Sequence, residues 1–232
     1  MTPAGPCLML VTARQRLQAA RPGVGWEELL ASQVRGALAG GIDLIQVREP
    51  DLDAATLARF LRHLFHTVPG SQARVVVNDR ADVALAVGAA GVHLPERGLA
   101  PEAVRRIAPA DWVVGRSVHG AESARASHGA TLLVAGTVQA SASKPGVSPL
   151  GLEGLADIVR AASGTPVIGI GGLTDKDVEG VRQAGAAGMA AIGYFVPDVG
   201  GDITAFVQER VMQLRLAFDS PVSVSYTQGS DR

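Results

Sequence analysis

The chain has 232 residues, of which 47% are hydrophobic and only 4% aromatic, and its 21 Lys and Arg residues nearly balance its 22 Asp and Glu residues. This balance leaves no net field that would hold the protein on nucleic acid or on an anionic membrane, so any anionic ligand must be bound locally. The length and the aliphatic composition are typical of one α/β barrel domain, which commonly has about 250 residues.

The single cysteine, Cys7, has no disulfide partner and no zinc-site spacing around it, which fits a reducing cytoplasm. The N-terminus carries an apolar stretch without a basic region, and no segment reaches the roughly 20 apolar residues of a membrane span. We therefore expect a cytoplasmic protein that binds neither membrane nor nucleic acid.

Short apolar runs alternate with longer amphipathic ones, a pattern that predicts parallel strands joined by crossover helices. Eight runs are candidate strands, namely residues 7–12, 43–49, 74–79, 91–94, 112–118, 132–138, 166–172 and 188–195. A helix-like segment follows each strand, and these segments begin near Trp26, Asp53, Ala81, Ala100, Ala121, Leu152, Thr174 and Asp202.

Strands that are apolar on nearly every residue need cover on both faces, and a closed barrel inside a ring of helices provides it. We therefore predict an α/β fold, a (β/α)8 TIM barrel over residues 1–218. An open doubly wound sheet is the alternative, but the first strand continues as VTARQRL, without the G-x-G-x-x-G of a dinucleotide-binding fold. Residues 219–232 mix Ser, Pro and Gly and are expected to form a flexible tail.

Polar side chains gather where the predicted strands end, which is where barrels of this kind place their chemistry. Those expected to contact substrate are Arg48, Asn78, Asp79, Ser117, Ser141, Ser143 and Lys144. Two have open alternatives: Asp79, with Arg80, could cap the following helix, and Lys144 could be a solvated loop residue. A hard cation would want a second carboxylate, and the next loop, HLPERGL, offers Glu96 rather than Asp, so we expect no metal.

The last two strands end in glycine, at Gly171 and Gly172 and, after Ile192, at Gly193. Glycine lets backbone N–H groups approach an anion closely, and the loops after strands seven and eight are the usual phosphate cradle of this fold. A plain tight turn is the alternative. We expect these four residues to bind a small phosphate ester.

His119 follows the fifth strand in the stretch GRSVHG. An unperturbed histidine, with a pKa of about 6.5, can both take and give a proton near neutrality. A structural, hydrogen-bonded histidine is the alternative, and it applies more strongly to His93, which has apolar neighbours in GVHL. His119 is therefore the candidate catalytic acid and base.

Six segments together resemble the thiamine phosphate synthase / TenI superfamily: QVRE (46–49), VNDRADVALAVGAAGVHLP (77–95), GRSVH (115–119), SASKPG (141–146), PVIGIGGL (166–173) and GAAGMAAIG (185–193). The similarity runs from about Leu10 to Phe195. It implies a barrel enzyme of thiamine biosynthesis and a homodimer.

The synthases of this superfamily join a pyrimidine diphosphate to a thiazole phosphate with Mg²⁺, held by one Asp after strand three and a second in a loop like GVHLGQEDL. Here Asp79 matches the first position, but Gly98 occupies the second, Pro95 replaces a glycine, and Pro50 stands where a lysine is usual. A diphosphate leaving group needs its charge neutralised, so these departures weaken the synthase interpretation.

The TenI-like branch is similar to this chain in its LP-containing loop and in GRSVH. This resemblance implies a thiazole tautomerase, an isomerase that aromatises a carboxythiazole phosphate by moving a proton without metal or cofactor, with His119 as acid and base. Arg48 would lie near the substrate, or pair with Glu49 or Asp79 as a strut. A divergent Mg²⁺-dependent synthase and a non-catalytic regulator that binds a phosphate ligand remain alternatives.

Overall fold

The protein is a closed barrel of eight parallel strands, seen in a computed structural model that describes residues 6–72, 74–140, 146, 148–198 and 200–220. The strands are β1 (Cys7–Val11), β2 (Leu44–Val47), β3 (Val75–Asn78), β4 (Gly91–Leu94), β5 (Val113–Val118), β6 (Leu132–Gly136), β7 (Val167–Ile170) and β8 (Gly188–Ala191). Each strand pairs with the next, and β8 pairs with β1. This confirms the predicted (β/α)8 TIM barrel.

The helices surround the barrel and connect successive strands. They are α1 (Arg14–Ala20), α2 (Trp26–Ala39), α3 (Ala54–Thr67), α4 (Ala81–Val87), α5 (Pro101–Arg105), α6 (Ala121–Arg125), α7 (Gly151–Ala161), α8 (Val178–Gln183) and α9 (Ile203–Asp219). The carboxylates of Asp53 and Asp202 cap α3 and α9 by accepting hydrogen bonds from the backbone N–H groups of Thr56 and Thr204.

Two elements differ from the sequence prediction. β1 is followed by two helices rather than one, because residues 14–20 form the short helix α1. The eighth strand was predicted to reach residue 195, but it ends at Ala191, and a 3₁₀ turn at Gly193–Phe195 follows it. The apolar character of Tyr194 and Phe195 reflects packing against the core rather than an extended backbone. At the C-terminus, α9 reaches Asp219, one residue into the predicted tail, and residues 221–232 lie outside the described residues.

Alternate residues of each strand face opposite sides of the barrel wall. In β1, Cys7, Met9 and Val11 belong to the interior cluster, whereas Leu8 and Leu10 pack with the surrounding helices. Side chains that continue the interior series beyond the strands therefore point into the C-terminal mouth of the barrel.

The pairing of β8 with β1 closes the barrel, and a glycine makes it possible. Gly188 lies opposite Cys7 with φ of +153°. A Cβ atom at this position would lie 2.0 Å from the carbonyl oxygen of Cys7, closer than any side chain tolerates. Only glycine fits the backbone of this seam.

None of the helices in the described part of the chain combines the length and the apolar character that crossing a bilayer requires.

The buried thiol of Cys7 is expected to be almost inert in the folded protein. Only 4% of the residue is exposed, and burial first, then the charge of Asp43, raises the pKa of the thiol to about 12. Because the thiolate is the reactive form, its reduced population alone should slow reaction with a chromogenic aromatic disulfide on the order of 10³-fold near pH 8, relative to the unfolded chain. Absorbance traces in buffer and in denaturant test this. Equal rates would contradict the buried position of Cys7, and Cys7→Ser is the blank.

Candidate functional site

A cavity of about 500 Å³ opens at the C-terminal end of the barrel, where each strand ends and the following loop begins. It brings together most of the site residues expected from the sequence. Those that line it are Arg48, Asn78, Ser117, His119, Gly171, Gly172, Ile192 and Gly193. Ser141, Ser143 and Lys144 lie outside the described residues.

Strand register explains why these side chains meet. Asn78 pairs with His93, and Ser117 pairs with Val134, all at interior-facing positions near the strand ends. Gly115 lies beside His93, and a Cβ atom there would come within 2.6 Å of the His93 Nδ1 atom. The imidazole of His93 therefore occupies space that a larger neighbour would fill.

Two hydrogen-bonded pairs satisfy the polar side chains at the base of the cavity. The Nε2 group of Gln46 donates to Oδ1 of Asn78 at 2.8 Å, and Nε2 of His93 lies 2.8 Å from the Ser117 hydroxyl oxygen. Buried polar groups are costly unless they are paired in this way. Asn78 and Ser117, predicted as substrate contacts, therefore also hold neighbouring strands together.

His93 is a buried histidine that stays neutral near pH 7. The residue is only 3% exposed. Burial first, and then the positive charges of Arg116 and Arg48, lower its pKa from 6.5 to about 4. The predicted structural role fits this burial, but the sequence did not anticipate that His93 would also line the cavity.

His119 lies at the rim of the cavity, paired with Glu96 from the loop after β4. The two side-chain atoms Nδ1 of His119 and Oε2 of Glu96 are 2.9 Å apart, and the backbone N–H of His119 donates to Oε1 of Glu96 at 3.3 Å. The side chains of His119 and Glu96 are 40% and 33% exposed. A histidine side chain that is partly exposed at a cavity can exchange protons with a ligand.

Asp79 does not line the cavity, unlike the other predicted substrate contacts of the described chain. It does not cap a helix either, since α4 begins after Arg80 without a side-chain cap bond. Its carboxylate instead lies beside Gly98, where a Cβ atom would be 3.1 Å from Oδ1 of Asp79. Position 98 thus faces Asp79, and as a glycine it places no carboxylate beside it.

Nowhere in the described ranges do three or more His, Cys, Asp or Glu residues come together in a way that could hold a metal ion. Glu96, the carboxylate in the neighbouring loop, is hydrogen-bonded to His119. Mg²⁺ is ordinarily bound by one or two carboxylates together with water and substrate phosphates.

Arg48 extends from the end of β2 toward the cavity and forms no ion pair with Glu49 or Asp79, all three being described residues. Glu49 instead accepts a hydrogen bond from the Thr12 hydroxyl at 2.6 Å and lies 3.7 Å from Arg14. The Thr12 oxygen in turn accepts the backbone N–H of Arg48 at 3.0 Å. Arg48 is therefore held by its backbone, and the strut interpretation is wrong.

The glycine turns after β7 and β8 form one side of the cavity. Gly171 and Gly172 have φ values of +107° and +68°, and a Cβ atom on Gly172 would lie 2.5 Å from the carbonyl oxygen of Ala140. Arg16 of α1 approaches the second turn, since a Cβ atom on Gly193 would be 3.3 Å from its Nη1 atom. Backbone N–H groups and a guanidinium close together can bind an anion.

Sequence reasoning missed Arg16 as a site residue and considered Glu96 only as a metal ligand. Arg16 lies in a helix that was not predicted, and its approach to Gly193 depends on the seam between β1 and β8. The position of Glu96 shortly after a strand marked it as a candidate for the cavity. Its pairing with His119 could not be predicted, because the two residues are far apart in the sequence.

Comparison with known proteins places the chain in a family. A family model described as thiamine monophosphate synthase (TMP-TENI) matches residues 8–195. A thiamine-phosphate synthase of Azorhizobium caulinodans is 38% identical over 83% of this chain and 89% of its own length, and one of Anaeromyxobacter dehalogenans is 42% identical over 69% and 73%.

A solved structure shares both fold and sequence with the chain. Thiamine phosphate pyrophosphorylase from Pyrococcus furiosus is 30% identical, with a TM-score of 0.72, over 91% of this chain and 95% of that one. A 3-hexulose-6-phosphate synthase, at 20% identity and a TM-score of 0.62, shares the fold alone. The relatives' names denote synthases, which are transferases, and so favour the alternative over the isomerase expected from the sequence.

His93 should make the protein less stable in mild acid. Because the pKa of His93 is about 4 in the folded state, against 6.5 for an ordinary histidine, the unfolded chain binds more protons between these values. Stability contributed by neutral His93 is therefore present above pH 6.5 and is lost as the pH falls toward 4. Between pH 7 and pH 5 the loss should be on the order of 2 kcal/mol.

Urea unfolding of the wild type and of His93→Gln at both pH values measures this. Glutamine keeps a hydrogen-bonding group near Ser117 but does not titrate. Between pH 7 and pH 5 the free energy of unfolding of the variant should therefore fall by about 2 kcal/mol less than that of the wild type. An identical loss in both proteins would show that His93 is not buried neutral.

Proposed function

We propose, from the premise that the chain belongs to the thiamine monophosphate synthase family of thiamine-biosynthesis enzymes, that it acts as a thiazole tautomerase. The substrate is a carboxythiazole phosphate, and the product is its aromatic isomer. The reaction moves one proton from carbon to carbon, so it neither releases a diphosphate nor changes the oxidation level of the ring.

One observation carries this choice within the family. Position 98 faces Asp79, since a Cβ atom there would be 3.1 Å from Oδ1 of Asp79, but the residue is a glycine and supplies no carboxylate. A synthase must neutralise a departing diphosphate, for which paired carboxylates and Mg²⁺ are well suited. A proton shift has no such requirement, because one amphoteric side chain over an anchored ligand is sufficient.

His119 is the acid and base in this proposal. It removes the proton from one ring position of the substrate, the electron pair left behind joins the aromatic system, and His119 returns the proton to a second carbon. His93 is unsuited to this exchange because burial keeps its pKa at about 4, so its protonated, imidazolium form is scarcely populated near neutrality.

Two anionic groups of the substrate match the charges of the cavity. The phosphate lies on the backbone N–H groups of Gly171, Gly172, Ile192 and Gly193, with Arg16 beside it. The carboxylate lies toward Arg48, which follows β2 and lines the same cavity. Anchoring both ends holds the reacting carbon under His119 and reduces the entropic part of the barrier.

A divergent thiamine phosphate synthase is the second candidate, and the names of the relatives favour it. It predicts Mg²⁺-dependent release of diphosphate when a pyrimidine diphosphate and a thiazole phosphate are supplied together. The same protein preparation can be assayed for this activity with and without Mg²⁺.

Aromatisation of the carboxythiazole phosphate should survive EDTA and depend on His119. His119→Ala should lower the rate by about 10² or more, the usual scale of a general acid and base. NMR or ultraviolet absorbance follows the conversion, and His128→Ala, an exposed histidine outside the cavity, is the matched control.

Three outcomes would contradict the tautomerase. Turnover that EDTA abolishes, or that His119→Ala leaves unchanged, removes the proposed mechanism. Diphosphate release in the Mg²⁺ assay without aromatisation identifies the synthase. Binding of the phosphate ester without either reaction identifies a non-catalytic phosphate-binding protein.

Arg16 should strengthen substrate binding through the phosphate. Loss of a charge-assisted hydrogen bond in Arg16→Met should raise KM by about 10-fold or more with little change in kcat, because the contact is the same in substrate and transition state. Arg16→Lys should restore part of the affinity, since it keeps the charge but not the planar guanidinium. Arg59→Met, on the exposed face of α3, is the control. An unchanged KM in Arg16→Met would place the phosphate elsewhere.

A further inference from the structure

Glu96 stands in the loop that follows β4 and reaches across to the end of β5. Its backbone carbonyl oxygen accepts a hydrogen bond from the Arg116 guanidinium, which also donates to the carbonyl oxygen of Leu99 at 2.6 Å. Its side chain meets His119 twice, at the ring and at the backbone N–H. The loop is therefore tied to β5 at both its backbone and its carboxylate.

We propose that Glu96 is a positioning residue that fixes the tautomer and the orientation of the His119 ring. The inference rests on the proposed function for its catalytic meaning, but the pairing itself is a property of the chain alone. No metal enters it, and Glu96 does not touch the reacting carbon.

Hydrogen-bonding chemistry sets the tautomer. An ionised carboxylate can only accept, and a neutral imidazole carries a single N–H. At 2.9 Å, the contact between Nδ1 of His119 and Oε2 of Glu96 therefore requires the proton to be on Nδ1. In this tautomer Nε2 carries the lone pair that a base needs. When Nε2 takes a proton, the adjacent carboxylate stabilises the resulting cation.

The surroundings of Glu96 keep it ionised. Partial burial tends to raise the pKa of its carboxyl group, but the neighbouring Ser123 hydroxyl and then the charge and hydrogen bonds of His119 outweigh it, so the pKa lies below its ordinary value. The carboxylate is thus an acceptor throughout the neutral pH range. Ser123 of α6 also accepts the backbone N–H of His119 at 3.1 Å, which restrains the main chain at His119.

The pairing with His119 also engages the carboxylate of Glu96, which the sequence had offered as a possible metal ligand. Glu96 is the carboxylate that the loop after β4 offers to the cavity, and in this chain it is used for His119. The tautomer of His119 should therefore depend on the negative charge at position 96. Glutamine has the same shape as glutamate, but its amide can donate to Nδ1 and stabilise the other tautomer.

Nitrogen NMR of protein labelled with 15N-histidine tests the tautomer without any substrate. The wild type should show the His119 ring as the Nδ1–H tautomer, and Glu96→Gln should shift it toward Nε2–H. Glu122→Gln, which removes an exposed carboxylate in the first turn of α6, is the matched control and should resemble the wild type. An Nε2–H ring in the wild type, or an unchanged ring in Glu96→Gln, overturns the proposal.

Kinetics then tests the catalytic consequence. Glu96→Gln should lower kcat about 10-fold or more with KM changed less than about twofold, because a wrong tautomer removes the base but leaves the phosphate and carboxylate contacts intact. A loss as large as that of His119→Ala, with the tautomer unchanged, overturns positioning and makes Glu96 itself the proton carrier.

The two readouts separate the two proposals. If the wild type shows the Nδ1–H ring and Glu96→Gln shifts it, but neither protein aromatises the thiazole, the proposed function fails while the pairing of Glu96 with His119 stands. If the wild type turns over and the ring is Nε2–H, the tautomerase stands and the positioning role of Glu96 fails.

Discussion

The hydrogen-bonded seam between the first and the last strand is the constraint on which the rest of the molecule depends. It joins Cys7 to Gly188 and Leu10 to Ala191, and it tolerates no side chain at Gly188. Without this pairing, the eight strands form an open sheet and the polar residues at their ends spread along an edge. With it, they face one another around a cavity of about 500 Å³.

The two-residue alternation of the strands decides which side chains enter that cavity. Apolar interior residues such as Met9 and Val134 fill the barrel, and the same series ends in polar groups at the mouth. These groups pair across neighbouring strands, Gln46 with Asn78 and His93 with Ser117. The polar side chains at the base of the cavity therefore find their hydrogen-bond partners within the protein. Arg48 and His119, which follow Gln46 and Ser117 by two residues, line the same cavity.

The strands and most of the residues that line the candidate site could be predicted from sequence because both depend on local signals. Apolar runs mark the strands, and a histidine or a pair of glycines directly after a run lies at the mouth of any closed barrel. What depends on register or on distant pairing could not be predicted. The contact between Glu96 and His119 and the approach of Arg16 to Gly193 are set by the closed sheet, and the burial of His93 follows from the absence of a side chain at Gly115.

The same seam has a consequence for the order of events during synthesis. Arg16 leaves the ribosome early, whereas Gly193, its neighbour in the folded protein, leaves near the end of translation. Contacts so distant in sequence form late, since the intervening chain must be ordered first. The contact between Arg16 and the turn at Gly193 therefore forms only after the last strand has joined the barrel, so it depends on the whole ring of strands rather than on any single segment.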